Sequence, residues 1–135
     1  MDAEGPAWEK PRYMNGMTGL VQVVERHDGT VPVCELKGEL DASNVEHVLE
    51  RLTSCVGNDA PGLALDLAAT SYLDSAGVRI LFELARRLRA RRQELRIAVP
   101  NSGIVRRVLV LTALGDIVPL DDNVDASVAA LRARV

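Results

Sequence analysis

A chain of 135 residues with 47% apolar content closes one hydrophobic core and is too short for two ordinary domains. Lys and Arg number 16 against 19 Asp and Glu, a net charge of −3. That balance supplies no positive field of the kind that holds nucleic acid or anionic lipid, so proteins are the expected partners.

The first stretch, residues 1–17, has neither helical nor strand periodicity and is punctuated by Gly and Pro. It reads as a flexible leader ahead of one domain over residues 18–135, with Trp8 and Tyr13 available to dock on the domain or on a partner. Its polar, acidic start lacks the basic-then-apolar order of a signal peptide, and no apolar run is long enough to span a bilayer. A cytoplasmic protein without membrane insertion is expected. Cys34 and Cys55 fit no disulfide framework and no Cys-x-x-Cys pair, and read as buried free thiols.

The runs "LVQVVER" and "VPVCELKG" flank Asp28-Gly29, a hairpin signal, so two antiparallel strands open the fold. Pro32 belongs near a strand start or on an unpaired side. Ser43 to Glu46 has capping-box spacing, and Val45, Val48, Leu49, Leu52 and Cys55 form a helical stripe behind it. "GLALDL" is a short buried strand. From Ser75 to Arg92, the residues Val78, Leu81, Phe82, Ala85 and Leu88 repeat at helical spacing, so this strand is expected to lead straight into a helix. "LRIAV" is a strand, and "NSGIVRRVLVLTAL" a helix capped by Asn101 or Ser102 and stopped at Gly115. "DIVPL" is a last strand, and Val124, Val128 and Leu131 mark a final helix. The order ββαβαβαβα predicts a single α/β domain with a mixed sheet, opened by an antiparallel hairpin, and helices packed on it.

Few residues carry chemistry. "LDSAG" lacks the first Gly of a nucleophile elbow, and only His27 and His47 are available as histidine bases, which argues against a hydrolase. Neither metal-ligand spacing nor a phosphate-binding P-loop is present, so no cofactor or metal is expected. The run "RRLRARR" suits the end of a helix, where cations complement the macrodipole. Asp74 and Ser75 are both residue types preferred at helix N-termini, so from the residues alone Ser75 reads as a cap.

"LKGELDASNVEHVLERL", "LALDLAATSYLDSAGVRIL" and "IVRRVLVLTALGDIVPLDDNVDASVAAL" together resemble the STAS domain family, and most closely its free-standing bacterial anti-sigma factor antagonists. The likeness covers nearly everything after the leader. It implies that Ser75, directly after the aspartate of a D-S-[SAT]-G motif, accepts a phosphate from a partner anti-sigma factor, a serine kinase with a histidine-kinase-like ATPase fold. The unphosphorylated protein would capture that kinase and free a sigma factor, and a serine phosphatase would reverse the modification. Asp41, Asp74, Ser75, Ala76, Gly77, Arg79 and Ile80 are the expected partner-binding residues. Arg79 would partly neutralise the phosphate or pair with Glu83, while Ile80 and Leu84 would form an apolar contact patch or widen the buried face. Asp41 would present the serine or simply form a turn, and Asp66 would satisfy backbone N–H groups near the loop. Thr70 and Ser71 are alternative hydroxyls in the same loop.

The motif departs from many relatives in having Ala76 for a second small hydroxyl residue, and from some in having Arg79 for a glycine. STAS domains also serve as subunits of lipid-transport ABC complexes and of stress-signalling assemblies, where Ser75 would be a contact or cap residue.

Overall fold

The structure is a computed structural model and describes residues 21–134. The leader, with Trp8 and Tyr13, lies outside the described residues. Strand β1 (Val21–Asp28) and strand β2 (Val31–Leu40) pair antiparallel with Asp28 opposite Val31. Gly29 and Thr30 form the turn between them, and Gly29 takes a φ of 64°, which its missing Cβ permits. Pro32 is the second residue of β2, just before that strand begins to pair on its other side at Val33.

Helix α1 (Val45–Ser54) follows, then strand β3 (Gly62–Asp66), strand β4 (Thr70–Leu73) and helix α2 (Ser75–Ala90). Strand β5 (Glu94–Ala98), helix α3 (Ile104–Leu111), strand β6 (Leu120–Asp121) and helix α4 (Val124–Arg132) complete the chain. The sheet runs β1-β2-β3-β5-β6, parallel everywhere beyond the opening hairpin. This is the expected α/β domain with a mixed sheet.

Strand alternation divides the core in two, because successive side chains face opposite sides of a sheet. Cys34, Leu36, Leu63 and Leu65 join the apolar stripes of α1 and α2, including Leu52, Leu81, Leu84 and Leu88, in the main core. Val31, Val33 and Ala64 point the other way and meet Val128 and Leu131 of α4. Helices therefore cover both faces, as buried parallel strands require.

Three local expectations change. First, the strand leading into α2 is not β3 but an additional short strand, β4. The first half of β2 pairs with β3 through Val33, Cys34 and Glu35, and its end pairs with β4 through Gly38, Glu39 and Leu40, with a register shift between Gly38 and Glu39. Two short strands thus share one side of a ten-residue strand. Second, α1 has no capping box: Asn44 is its N-cap residue, while Ser43 donates to Asp41 instead. Third, α3 starts after Gly103 rather than at a side-chain cap, and ends at Leu111. A 3₁₀ turn over Leu114–Asp116 contains Gly115, so that glycine does not stop the helix.

The short strand β6 is held by charge as well as by its backbone. Arg96 on β5 donates to both carboxylate oxygens of Asp121, at 2.9 and 3.0 Å, and the Ser127 hydroxyl of α4 adds a third bond at 2.7 Å. The Arg96 bonds, aided by Ser127, hold the Asp121 carboxyl below its usual range despite partial burial. The ionised form is therefore favoured by folding, so its contribution is complete above pH 3.8 and is lost as pH falls from there through the lower folded value. Asp121→Asn is expected to lower the unfolding free energy at neutral pH by about 1–3 kcal/mol. Urea denaturation across pH should show the variant losing less stability than the parent over the acid range.

Candidate functional site

The end of β2 and the end of β4 lie side by side, with Leu40 opposite Leu73. This register carries Asp41 and Asp74 off the same edge of the sheet as the next residues of neighbouring parallel strands. The Asp74 N–H donates to the Leu40 carbonyl at 3.3 Å, which fixes where α2 begins. The sheet thus aims the N-terminus of α2 at the loop that carries Asp41.

Asp74, not Ser75, is the cap. Its backbone is extended and its Oδ1 accepts from the Gly77 N–H at 3.0 Å, satisfying one of the orphan donors of the first turn. Ser75 is consequently the first helical residue; its side chain is exposed and its hydroxyl makes no hydrogen bond among the described residues. A phosphate there would sit against free N–H groups at the positive end of a 16-residue helix.

The other serine and threonine hydroxyls of the segment are already engaged. Thr70 is buried and donates to the Leu36 carbonyl at 2.8 Å, and Ser71, although exposed, donates to Gly38 at 3.3 Å. Asp66 accepts from the Ala68 N–H at 2.9 Å, so it shapes the turn between β3 and β4 as a backbone acceptor. Asp41 acts similarly in its own loop: its Oδ1 accepts from the Ser43 N–H and hydroxyl, its N–H donates to Asn44 Oδ1, and Asn44 donates in turn to the Glu39 carbonyl. Asp41 therefore builds the turn beside Ser75, and its side chain remains partly exposed there.

Gly77 is buried where α2 crosses the end of β2. A Cβ at that position would lie 2.9 Å from the Leu40 carbonyl oxygen and 3.0 Å from Leu73 Cβ, so only glycine lets the helix come this close. Ala76 is partly buried against the core. Ile80 and Leu84 are fully buried, which decides their role: they widen the buried face of α2 and present no apolar patch to a partner. Of the expected contact residues on α2, Ser75 and Arg79 are the ones with exposed side chains.

Arg79 does not pair with Glu83. It reaches Glu46 at the start of α1, at 3.2 Å, through side chains that are both well exposed, so the pair adds little stability. Glu83 is taken by Arg86 at 2.6 Å and Arg87 at 2.9 Å, and these two guanidinium groups hold its carboxyl down to about 2. The basic run at the end of α2 is likewise committed internally at Arg91, which donates to the Val56 carbonyl and Asn58.

Exposed apolar side chains lie on β4 and on α3. Tyr72 on β4 is exposed, and α3, which packs against β4, exposes Ile104, Val110 and Leu111. Sequence periodicity missed these residues, because the pattern that marks α3 as a helix does not say which of its apolar side chains the core leaves out. Among the described residues no helix is long and apolar enough to cross a membrane.

The STAS domain family model matches residues 22–127. A relative from Bordetella bronchiseptica, BtrV, named as a candidate anti-sigma factor antagonist, is 28% identical over 109 residues, which cover 81% of this chain and 92% of that protein. The crystal structure of an anti-sigma factor antagonist from Mycobacterium paratuberculosis superposes with a TM-score of 0.75 at 24% identity, covering 83% of this chain and 94% of that one. The Bacillus cell fate determinant SpoIIAA in its phosphorylated form superposes at 0.56 with 22% identity, covering 82% and 98% of the two chains. The two solved structures share the fold of this chain.

If Asp74 is the cap and Ile80 a core residue, three substitutions should separate cleanly in urea denaturation. Asp74→Ala is expected to lose about 1 kcal/mol through the lost cap bond. Ser75→Ala should stay within about 0.5 kcal/mol of the parent. Ile80→Ala should lose about 2–5 kcal/mol, as emptied core sites do.

Proposed function

The chain belongs to the STAS domain family, and from that premise we propose that it is an anti-sigma factor antagonist switched off by phosphorylation of Ser75. The observation that carries this reading is the division of labour at the start of α2: Asp74 supplies the cap, which leaves Ser75 exposed, first in the helix and with a hydroxyl unbonded among the described residues. A hydroxyl so placed is free to be modified without dismantling the structure around it. The names of the Bordetella relative and of the Mycobacterium structure support the same role.

In this reading the partner is an anti-sigma factor that is also a serine kinase. The unphosphorylated protein binds the kinase, with Asp41 and Asp74 flanking Ser75 and the exposed apolar residues Tyr72, Ile104, Val110 and Leu111 offering surface to cover. Sigma factor is released as a result. The kinase then transfers phosphate to Ser75, and a serine phosphatase removes it.

Electrostatics explains why one phosphate suffices. It adds roughly −1.5 to −2 charges at neutral pH, next to Asp74 and within reach of the Asp41 loop. The helix dipole and free N–H groups tolerate that anion within the domain, and Arg79, one turn on, can leave its exposed pair with Glu46 to meet it. A partner surface shaped for a neutral hydroxyl beside two carboxylates meets concentrated charge and a strongly hydrated group instead. The fold persists while the complex is lost.

Tagged protein expressed in its own cells should recover the kinase, and calorimetry with the purified partner then tests the switch. Ser75→Asp is expected to remain folded and bind at least about tenfold more weakly, about 1.4 kcal/mol or more, whereas Ser75→Ala binds as the parent does and cannot be released by ATP. Equal binding by the two variants would overturn the switch. Recovery of transporter subunits in place of a kinase would overturn the antagonist role and leave a scaffold.

A further inference from the structure

Cys34 and Cys55 stand 21 positions apart in the chain, yet their Sγ atoms lie 2.9 Å from each other, both as free thiols. Cys34 is in β2 with no exposed surface, and Cys55 is the residue directly after α1, with its side chain part-way exposed. The separation exceeds a disulfide bond by only about 0.9 Å. Cys55 lies where the chain leaves the helix and turns toward β3, so the movement falls on a helix end rather than on a central strand.

We propose that Cys34 and Cys55 are a redox modification site, closing to a reversible intramolecular disulfide when the protein meets a small peroxide oxidant.

The surroundings set the order of events. The two sulfurs share a hydrogen bond that either one is able to donate; it lowers the Cys55 thiol pKa and, with burial, raises that of Cys34, while Arg51 helps to lower Cys55, opposed by burial and by Glu25, to which Arg51 is itself paired at 3.3 Å. Cys55 is thus the more readily ionised sulfur and the more accessible one, the two properties that mark the first thiol to react. Its thiolate attacks one oxygen of hydrogen peroxide, the O–O bond breaks, and Cys55 becomes a sulfenic acid while the departing hydroxide takes a proton to give water. The Cys34 sulfur then attacks Cys55 Sγ, the S–O bond breaks, and the Cys34 proton leaves with the hydroxyl as a second water. Two thiols have lost two electrons and peroxide has gained them. A thiol reductant reopens the bond by exchange.

Cys34 does two things in this scheme: it promotes the thiolate of Cys55, and it traps the sulfenic acid before further oxidation. The bond would tie the end of α1 to β2, closing a loop in the unfolded chain as well as in the folded one. Such a pair suits a reducing compartment, where disulfides are transient rather than structural.

The test is a hydrogen peroxide titration of the reduced, purified full chain, followed by thiol alkylation, intact-mass measurement and peptide mapping. The expected product is a monomer lighter by two hydrogens, with both thiols protected from alkylation, one cross-linked peptide joining Cys34 to Cys55, and full reversal by dithiothreitol. In Cys34→Ala, Cys55 should accumulate sulfenic acid that a dimedone probe captures. In Cys55→Ala, Cys34 should stay reduced at the same peroxide doses. Both thiols still alkylatable in the parent protein, sulfinic acid on Cys55 without a cross-link, or a cross-link between chains would each overturn the proposal.

Discussion

The arrangement around Ser75 depends on one constraint: the end of β2 must pair with β4 rather than continue beside β3. That pairing sets Leu40 opposite Leu73 and brings the Asp74 N–H to the Leu40 carbonyl. It also lets α2 cross the sheet end so closely that position 77 can carry no Cβ. The start of the helix is thereby determined from the strand side. Asp74 falls at the cap and Ser75 one residue later, outside the core and with its hydroxyl unbonded among the described residues. A shift of one residue in the β2–β4 register would exchange the faces of β4 and misplace the cap.

Rigid support and a free hydroxyl are complementary requirements. A residue that is to gain a charged group should not already be holding the structure together, yet its backbone must be well placed for a partner to recognise. Here the neighbours carry the structural tasks: Asp74 caps, Asp41 and Asn44 build the adjacent loop, Asp66 and Thr70 shape the approach, and Gly77 allows close packing. Arg79 sits in an exposed ion pair with Glu46 and can be redirected at small cost.

Much of this was legible in the sequence. The hairpin was, because Asp28-Gly29 sits between two β-branched runs, and the helices were, because their apolar stripes repeat every three or four residues. Strand β4 was hidden: four residues between a turn and a helix carry too short a pattern, and they pair with the far end of β2. Capping was ambiguous wherever cap-type residues are adjacent. At 41 to 44 the tie was broken by the Glu39 carbonyl, which binds Asn44, and at 74 and 75 by the β2–β4 register. For the same reason the broad stripe of α2 could not tell whether Ile80 was a contact or a core residue until the sheet beneath it was in place. The meeting of Cys34 and Cys55 had no linear signal at all, since it arises only when α1 packs across β2.

The central claim is that Ser75, among the three serine and threonine hydroxyls within six residues, is the one a kinase modifies. The most direct measurement is phosphosite mapping by mass spectrometry after the protein is incubated with its captured kinase partner and ATP. The account predicts a single phosphate, on Ser75, with Thr70 and Ser71 unmodified because the structure already uses their hydroxyls. Phosphate on Thr70 or Ser71 instead, or none on the segment while the partner kinase is active, would contradict it.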